Sequence, residues 1–119
     1  GLGEDLMKGV ISYEIVRLMK EGLSPQKACE KAVRELDALL KRTRGEAGDI
    51  SVVAMNRNGD FGAATNIDNF SFVVATKSLA PTVFRVHPQP DGTMSHELAS
   101  KEWLESYLEE RMKPLEVKE

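Results

Sequence analysis

Four residues at the head of the sequence, Gly1-Leu2-Gly3-Glu4, have the types and spacing that could grip a small ligand. Two glycines separated by one residue, opening directly into a helical pattern, let backbone groups approach a ligand with no Cβ in the way. The first N–H groups of a helix have no intrahelical partner, so they attract a carboxylate, a phosphate or an oxyanion. The chemistry on offer is anion holding. The same spacing also occurs as plain punctuation before a helix, and a tag remnant ahead of Glu4 would read identically.

Other reactive side chains lack companions. Cys29 falls on an apolar helical stripe, the position of a packing cysteine rather than a nucleophile. His87 and His96 have no carboxylate at metal-ligand spacing and read as surface residues, so no metal site is expected. Ser12, Ser24 and Ser51 lack a nucleophile-elbow context. The Gly1 amine could act as a base, but Gly1 carries no hydroxyl or thiol for it to activate. Thr65-Asn66-Ile67-Asp68-Asn69 reads as turn chemistry, and the acidic residues between 102 and 110 as a solvated helix face. No complete catalytic set is present.

The elements that would position the glycine turn follow from periodicity. Leu6, Met7, Val10, Ile11, Ile15, Leu18 and Met19 predict one helix over residues 4–21, stopped by Gly22. Gly9 inside it suggests a close backbone approach. Ser24 and Pro25 open a second helix with Ala28, Cys29, Ala32, Val33, Leu36, Leu39 and Leu40 on its buried side, antiparallel to the first. Residues 50–55 then predict a strand covered on both faces. Asn58-Gly59 predicts a hairpin to residues 61–65, and residues 70–76 and 82–86 supply two more strands. All four can be antiparallel neighbours. Residues 87–93 read as a loop, and residues 100–112 as a helix with Trp103, Leu104, Tyr107, Leu108 and Met112 on one side. The fold class is thus α/β (α+β), in the order helix, helix, four antiparallel strands, helix, with a frayed tail over 113–119.

With 119 residues, 41% hydrophobic and 29% charged, the composition is that of one globular domain. A net charge of -3 argues against a nucleic-acid surface. A lone cysteine excludes an internal disulfide framework, and no run is long and apolar enough for a bilayer, so a cytoplasmic location is expected. No cofactor is called for. The sequence opens without an initiator Met on a glycine motif that wants a strand before it, so an incomplete piece of a longer enzyme is expected.

These segments in this order resemble the glycosylasparaginase and plant-type asparaginase family of N-terminal-nucleophile hydrolases. The resemblance rests on Gly1-Leu2-Gly3-Glu4-Asp5, Ser12-Tyr13-Glu14, Ser24-Pro25-Gln26-Lys27-Ala28-Cys29, Asp60-Phe61-Gly62-Ala63-Ala64-Thr65-Asn66 and Asn69-Phe70-Ser71-Phe72-Val73-Val74. It runs to about residue 86. It implies an αββα sandwich assembled from α and β subunits that autoproteolysis releases, and a Thr nucleophile at the new N-terminus of the β subunit. That Thr's amine is the base, and its hydroxyl attacks the side-chain amide of an asparagine-type substrate. Gly1 matches the oxyanion-hole and substrate-binding glycine, and Gly3 the glycine whose backbone holds the substrate's α-amino and α-carboxylate groups.

On that mapping, residues 1–119 are the C-terminal part of a β subunit. The nucleophile, its supporting Thr residues and the substrate-clamping Arg and Asp belong to the upstream segment, so this chain alone should be inactive. The implied partners are that segment, the α subunit, further αβ units in a homo-oligomer, and the amide substrate. Two alternatives stand beside this: a non-catalytic α+β module that self-associates or binds a partner, and an independent carboxylate binder.

Overall fold

The computed structural model describes residues 3–115, so Gly1, Leu2 and residues 116–119 of the expected frayed tail lie outside the described residues. Helices α1 (Gly3–Gly9), α2 (Ile11–Lys20) and α3 (Pro25–Arg44) come first. Strands β1 (Ser51–Met55), β2 (Phe61–Thr65), β3 (Phe70–Val74), β4 (Thr82–Pro88) and β5 (Met94–Leu98) follow, and α4 (Lys101–Met112) closes the order.

The single helix expected over residues 4–21 is two helices, broken where Val10 adopts left-handed backbone angles (φ 45°, ψ 48°). Geometry explains the break. Each helical residue turns about 100°, so in one straight helix Asp5 would point about 120° away from Ile11. Both are buried here, Asp5 beside the end of α3 and Ile11 in the main core, and the break at Val10 allows both. Gly9 does mark a close approach, since a Cβ there would lie 2.6 Å from Leu36 Cδ1. Helix α2 ends in a Schellman turn, with Gly22 N–H donating to Met19 O and Leu23 N–H to Leu18 O.

Helix α3 keeps its predicted signals. The Ser24 hydroxyl accepts from Lys27 N–H at 3.2 Å, Pro25 occupies the first turn, and Gly45 (φ 83°) closes the end. Ala28, Cys29, Ala32, Val33, Leu36 and Leu40 are buried with Ile11, Ile15 and Leu18 of α2, while Leu39 is only partly covered. Because α2 runs into α3 through a short turn while Gly9 touches Leu36, the helices are antiparallel.

The strands form two sheets rather than one run of neighbours: β1-β2, and β3-β4-β5, all paired antiparallel. The chain leaves the first sheet after Thr65 because the Asn66 side chain is anchored backwards, and Asn69 reverses direction at φ 68°. Alternation along β2 then divides the core. Ala64 joins the helical cluster, and Ala63 joins Phe72, Val74 and Val86 of the second sheet. Phe61, Phe72 and Phe84 pack there with ring centroids 5.5–6.1 Å apart.

Strand β1 is not covered on both faces. Val52 and Ala54 meet the helices, but Val53 and Met55 stay 57% and 47% exposed. The second sheet reaches β2 and stops short of β1, whose outer edge has no strand partner among the described residues.

Strand β5 is an addition to the four expected strands: it lies between the loop expected over residues 87–93 and the last helix, and β4 itself runs on to Pro88. The β4-β5 connection repeats the β1-β2 connection: Asn56 N–H donates to Asp60 O, and Gln89 N–H to Thr93 O. In each, a glycine with positive φ, Gly59 (85°) or Gly92 (87°), donates to the residue three before it. This is a three-residue hairpin loop with a glycine bulge, so only Gly59 of Asn58-Gly59 takes a positive φ.

Helix α4 forms over the expected residues, with Ser100 Oγ accepting from Trp103 N–H at 3.0 Å, but buries none of them. It touches the outer face of the second sheet through Trp103, over which the Arg85 guanidinium sits at 5.2 Å. Arg85 alternates with the inward Phe84 and Val86, so the layers run helices, two-stranded sheet, three-stranded sheet, α4.

Candidate functional site

Gly3 is the first residue of α1, and a Cβ built on it would meet nothing within 4 Å. Gly3 therefore does not need to be glycine for its own packing, and its Cα is open to an approaching group. Gly1, the other glycine of the motif, lies outside the described residues. Glu4 is exposed and pairs only loosely with Lys8, at 3.9 Å.

Two residues beyond Gly3 the character changes. Asp5 is fully buried, with its carboxylate forked on the Arg44 guanidinium and accepting from Gly48 N–H at 2.8 Å. A buried carboxylate is tolerable only when its oxygens are satisfied in this way. Nothing local in the sequence announces the pairing, since Arg44 is 39 positions away and Asp5 beside Glu4 reads as ordinary helix-dipole chemistry.

Gly48 is fixed in turn by Asn66. Its Nδ2 donates to Gly48 O and Asp37 Oδ1, both at 2.9 Å, and its Oδ1 accepts from Ile50 N–H at 2.7 Å. Turn chemistry thus covers only part of residues 65–69: Thr65 Oγ1 accepts from Ile67 N–H, whereas Asn66 joins two distant segments, α3 at Asp37 and the run from Gly48 to Ile50. Burial would raise the pKa of Asp37, but the Lys41 ammonium at 2.7 Å and the Asn66 amide hold it below its usual value.

Helix α3 reaches both sheets through side-chain amide and carboxylate groups. Gln26 behaves like a strand edge, its Oε1 accepting from Ala63 N–H at 2.8 Å and its Nε2 donating to Ala63 O at 2.9 Å. The buried Glu30 carboxylate accepts from Met94 N–H at 2.7 Å and from Gln26 Nε2 at 3.1 Å. Together they hold β2 and β5 against one helix.

The remaining candidates are structural. Cys29 is buried, and desolvation, with the neighbouring Glu30 carboxylate adding to it, pushes its thiol up to about 12. Ser24 caps α3, Ser51 Oγ lies 2.9 Å from Thr65 Oγ1, and Ser12 is exposed. His96 is not a surface residue: it is half-buried, edge-on to Phe72 at 5.6 Å, because β5 turns it into the space between the sheets. His87 lies on the opposite face, partly covered, with its Nε2 3.0 Å from Glu97 Oε1. Among the described residues no cluster of three or more His, Cys, Asp or Glu side chains could hold a metal, and no helix is long and apolar enough to cross a membrane.

One open recess of about 660 Å³ runs between α1, α2 and β1, lined by Leu6, Val10, Ile15, Met19 and the residues of β1. It is apolar, and Ser12 and Ser51 are the hydroxyls on its wall.

Comparison with known proteins adds to this geometry. The family model described as asparaginase matches residues 1–84, from the glycine turn into β4. The N(4)-(beta-N-acetylglucosaminyl)-L-asparaginase of Elizabethkingia miricola is 36% identical over 76 residues, which cover 62% of this chain. The matched part spans 22% of that relative's length.

Proposed function

The chain belongs to the asparaginase family, which includes glycosylasparaginase and the plant-type asparaginases, and from that membership we propose that it is the C-terminal part of an amidohydrolase β subunit. The parent enzyme cleaves the side-chain amide of asparagine-type substrates: N4-glycosylated asparagine, asparagine or β-aspartyl peptides. The observation that carries the reading is the family match through residues 1–84, which begins on the glycine turn.

In this reading the nucleophilic Thr is supplied by the upstream segment, and this chain supplies the turn that holds the substrate. Gly1 donates toward the oxyanion that forms as the Thr hydroxyl attacks the amide carbon. Such a donor is worth about 3–4 kcal/mol of transition-state stabilisation. Gly3 presents backbone to the α-amino and α-carboxylate groups, and the empty space beside its Cα supports that role.

The same reading accounts for surfaces otherwise costly to leave open. The free edge of β1, the exposed Val53 and Met55 and the apolar recess beside them suit strands from the rest of the enzyme. The layer order, with α4 beyond the second sheet, supports assignment to an αββα sandwich.

The parent enzyme should release aspartate from one of the three substrate types, and Gly3→Val should raise KM by blocking the approach to the turn. No aspartate from any of the three would refute the assignment.

A further inference from the structure

We propose that Asp5 is a positioning residue for the glycine turn, fixing Gly3 at the substrate end of α1 through its buried bonds to Arg44 and Gly48; this rests on the amidase reading above. Three observations carry it. First, α1 is not a straight continuation of α2, because the left-handed Val10 interrupts the helix between them. Second, α1 has little apolar grip of its own. Met7 is 77% exposed, Leu6 is only partly buried, and Gly9 rests against Leu36 at the far end. Third, the fully buried group of α1 is Asp5, two residues from Gly3 and about 3 Å further along the axis.

The anchor is directional. An apolar contact would let a short helix slide, whereas a forked guanidinium pair plus a backbone N–H defines both distance and angle. Both partners are themselves fixed. Arg44 ends the 20-residue α3, and Gly48 is held by Asn66, which also binds Ile50 and Asp37. Gly3 is thereby referenced to the end of α3 and to the segment that leads into β1.

In the parent enzyme, Asp5→Asn keeps the side-chain volume and an acceptor for Gly48 N–H but removes the charge pair with Arg44. For aspartate release, kcat/KM should fall by about 10- to 100-fold, the range that small misplacements of a binding group produce. KM should carry part of that fall. Hydrogen exchange should accelerate over residues 3–9 while α3 stays protected. Lys8→Ala, on the exposed side of α1, should leave all three unchanged.

A purely structural role predicts less folded enzyme, faster exchange throughout α3 and an unaltered KM in the active fraction; that result overturns the proposal. An active wild type whose Asp5→Asn variant keeps its kcat and KM also overturns it, leaving the amidase reading intact. A wild type without amidase activity overturns both. If Asp5→Asn does not fold, Arg44→Lys, which keeps the charge but not the fork, carries the same test.

Discussion

Replacing Gly62 with alanine tests whether the seat of α3 on β2 is limited by backbone. A Cβ at Gly62 would lie 2.3 Å from Gln26 N, 2.4 Å from Gln26 Cα and 2.6 Å from Pro25 C. Ordinary contacts between such atoms are about 3.5–4.0 Å, so the start of α3 must retreat by about 1 Å. Overpacking of this kind costs about 1–3 kcal/mol. The retreat also stretches the two bonds between Gln26 and Ala63, together worth about 1–3 kcal/mol. The sum, about 2–6 kcal/mol, is a large share of the roughly 5–15 kcal/mol that stabilises a typical domain.

Gly9→Ala is the matched control. Its new Cβ would meet Leu36 Cδ1 at 2.6 Å, nominally a similar clash. The obstacle is a side-chain end that can rotate, at about 0.5–1.5 kcal/mol, and alanine at this last residue of α1 returns at most about 1 kcal/mol of helix propensity. Urea unfolding followed by circular dichroism should therefore place Gly9→Ala within about 1 kcal/mol of wild type. Gly62→Ala should be destabilised by at least about 2 kcal/mol. Equal destabilisation of the two variants, or a Gly62→Ala loss below about 1 kcal/mol, would refute the backbone argument.

Asn66→Ala should lower stability by about 2–4 kcal/mol in thermal melts, because Ile50 N–H and Gly48 O lose their partner inside the fold. Asp37 gives a sign-defined pH effect. Its folded pKa is lowered from the ordinary 3.8, so its contribution is present above that value and is lost as pH falls through the folded pKa. Acid unfolding curves of Asp37→Asn should accordingly be flatter below about pH 4 than those of wild type, and parallel curves would count against the pairing. Cys29, with its thiol near 12, should not react with a thiol reagent at pH 8 until urea exposes it; rapid native labelling would contradict its burial.

The local signals in the sequence determined much of the scaffold. Ser24-Pro25 and Gly45 bound α3, Gly22 ends α2, and the stripe from Ala28 to Leu40 faces the core, because caps and helical periodicity act within a few residues. The order of segments also sufficed for the family, and Gly3 opens a helix as its spacing predicts. The strand β5 was missed, because Gln89-Pro90-Asp91-Gly92-Thr93 reads as a polar loop, although it closes a hairpin of the same build as residues 56–60.

Only the tertiary structure decided the rest. Whether β2 and β3 share a sheet depends on Asn66 reaching back to Gly48 and Asp37, contacts spanning 18 and 29 residues. The break at Val10 follows from burying Asp5 and Ile11 together, which no pattern within the helix encodes. By sequence Asp5 is one more acid in a first turn; its partners lie 39 and 43 residues away. Periodicity reports which side of an element is apolar. The partner of a buried polar group is set by where distant segments meet, and only packing fixes that.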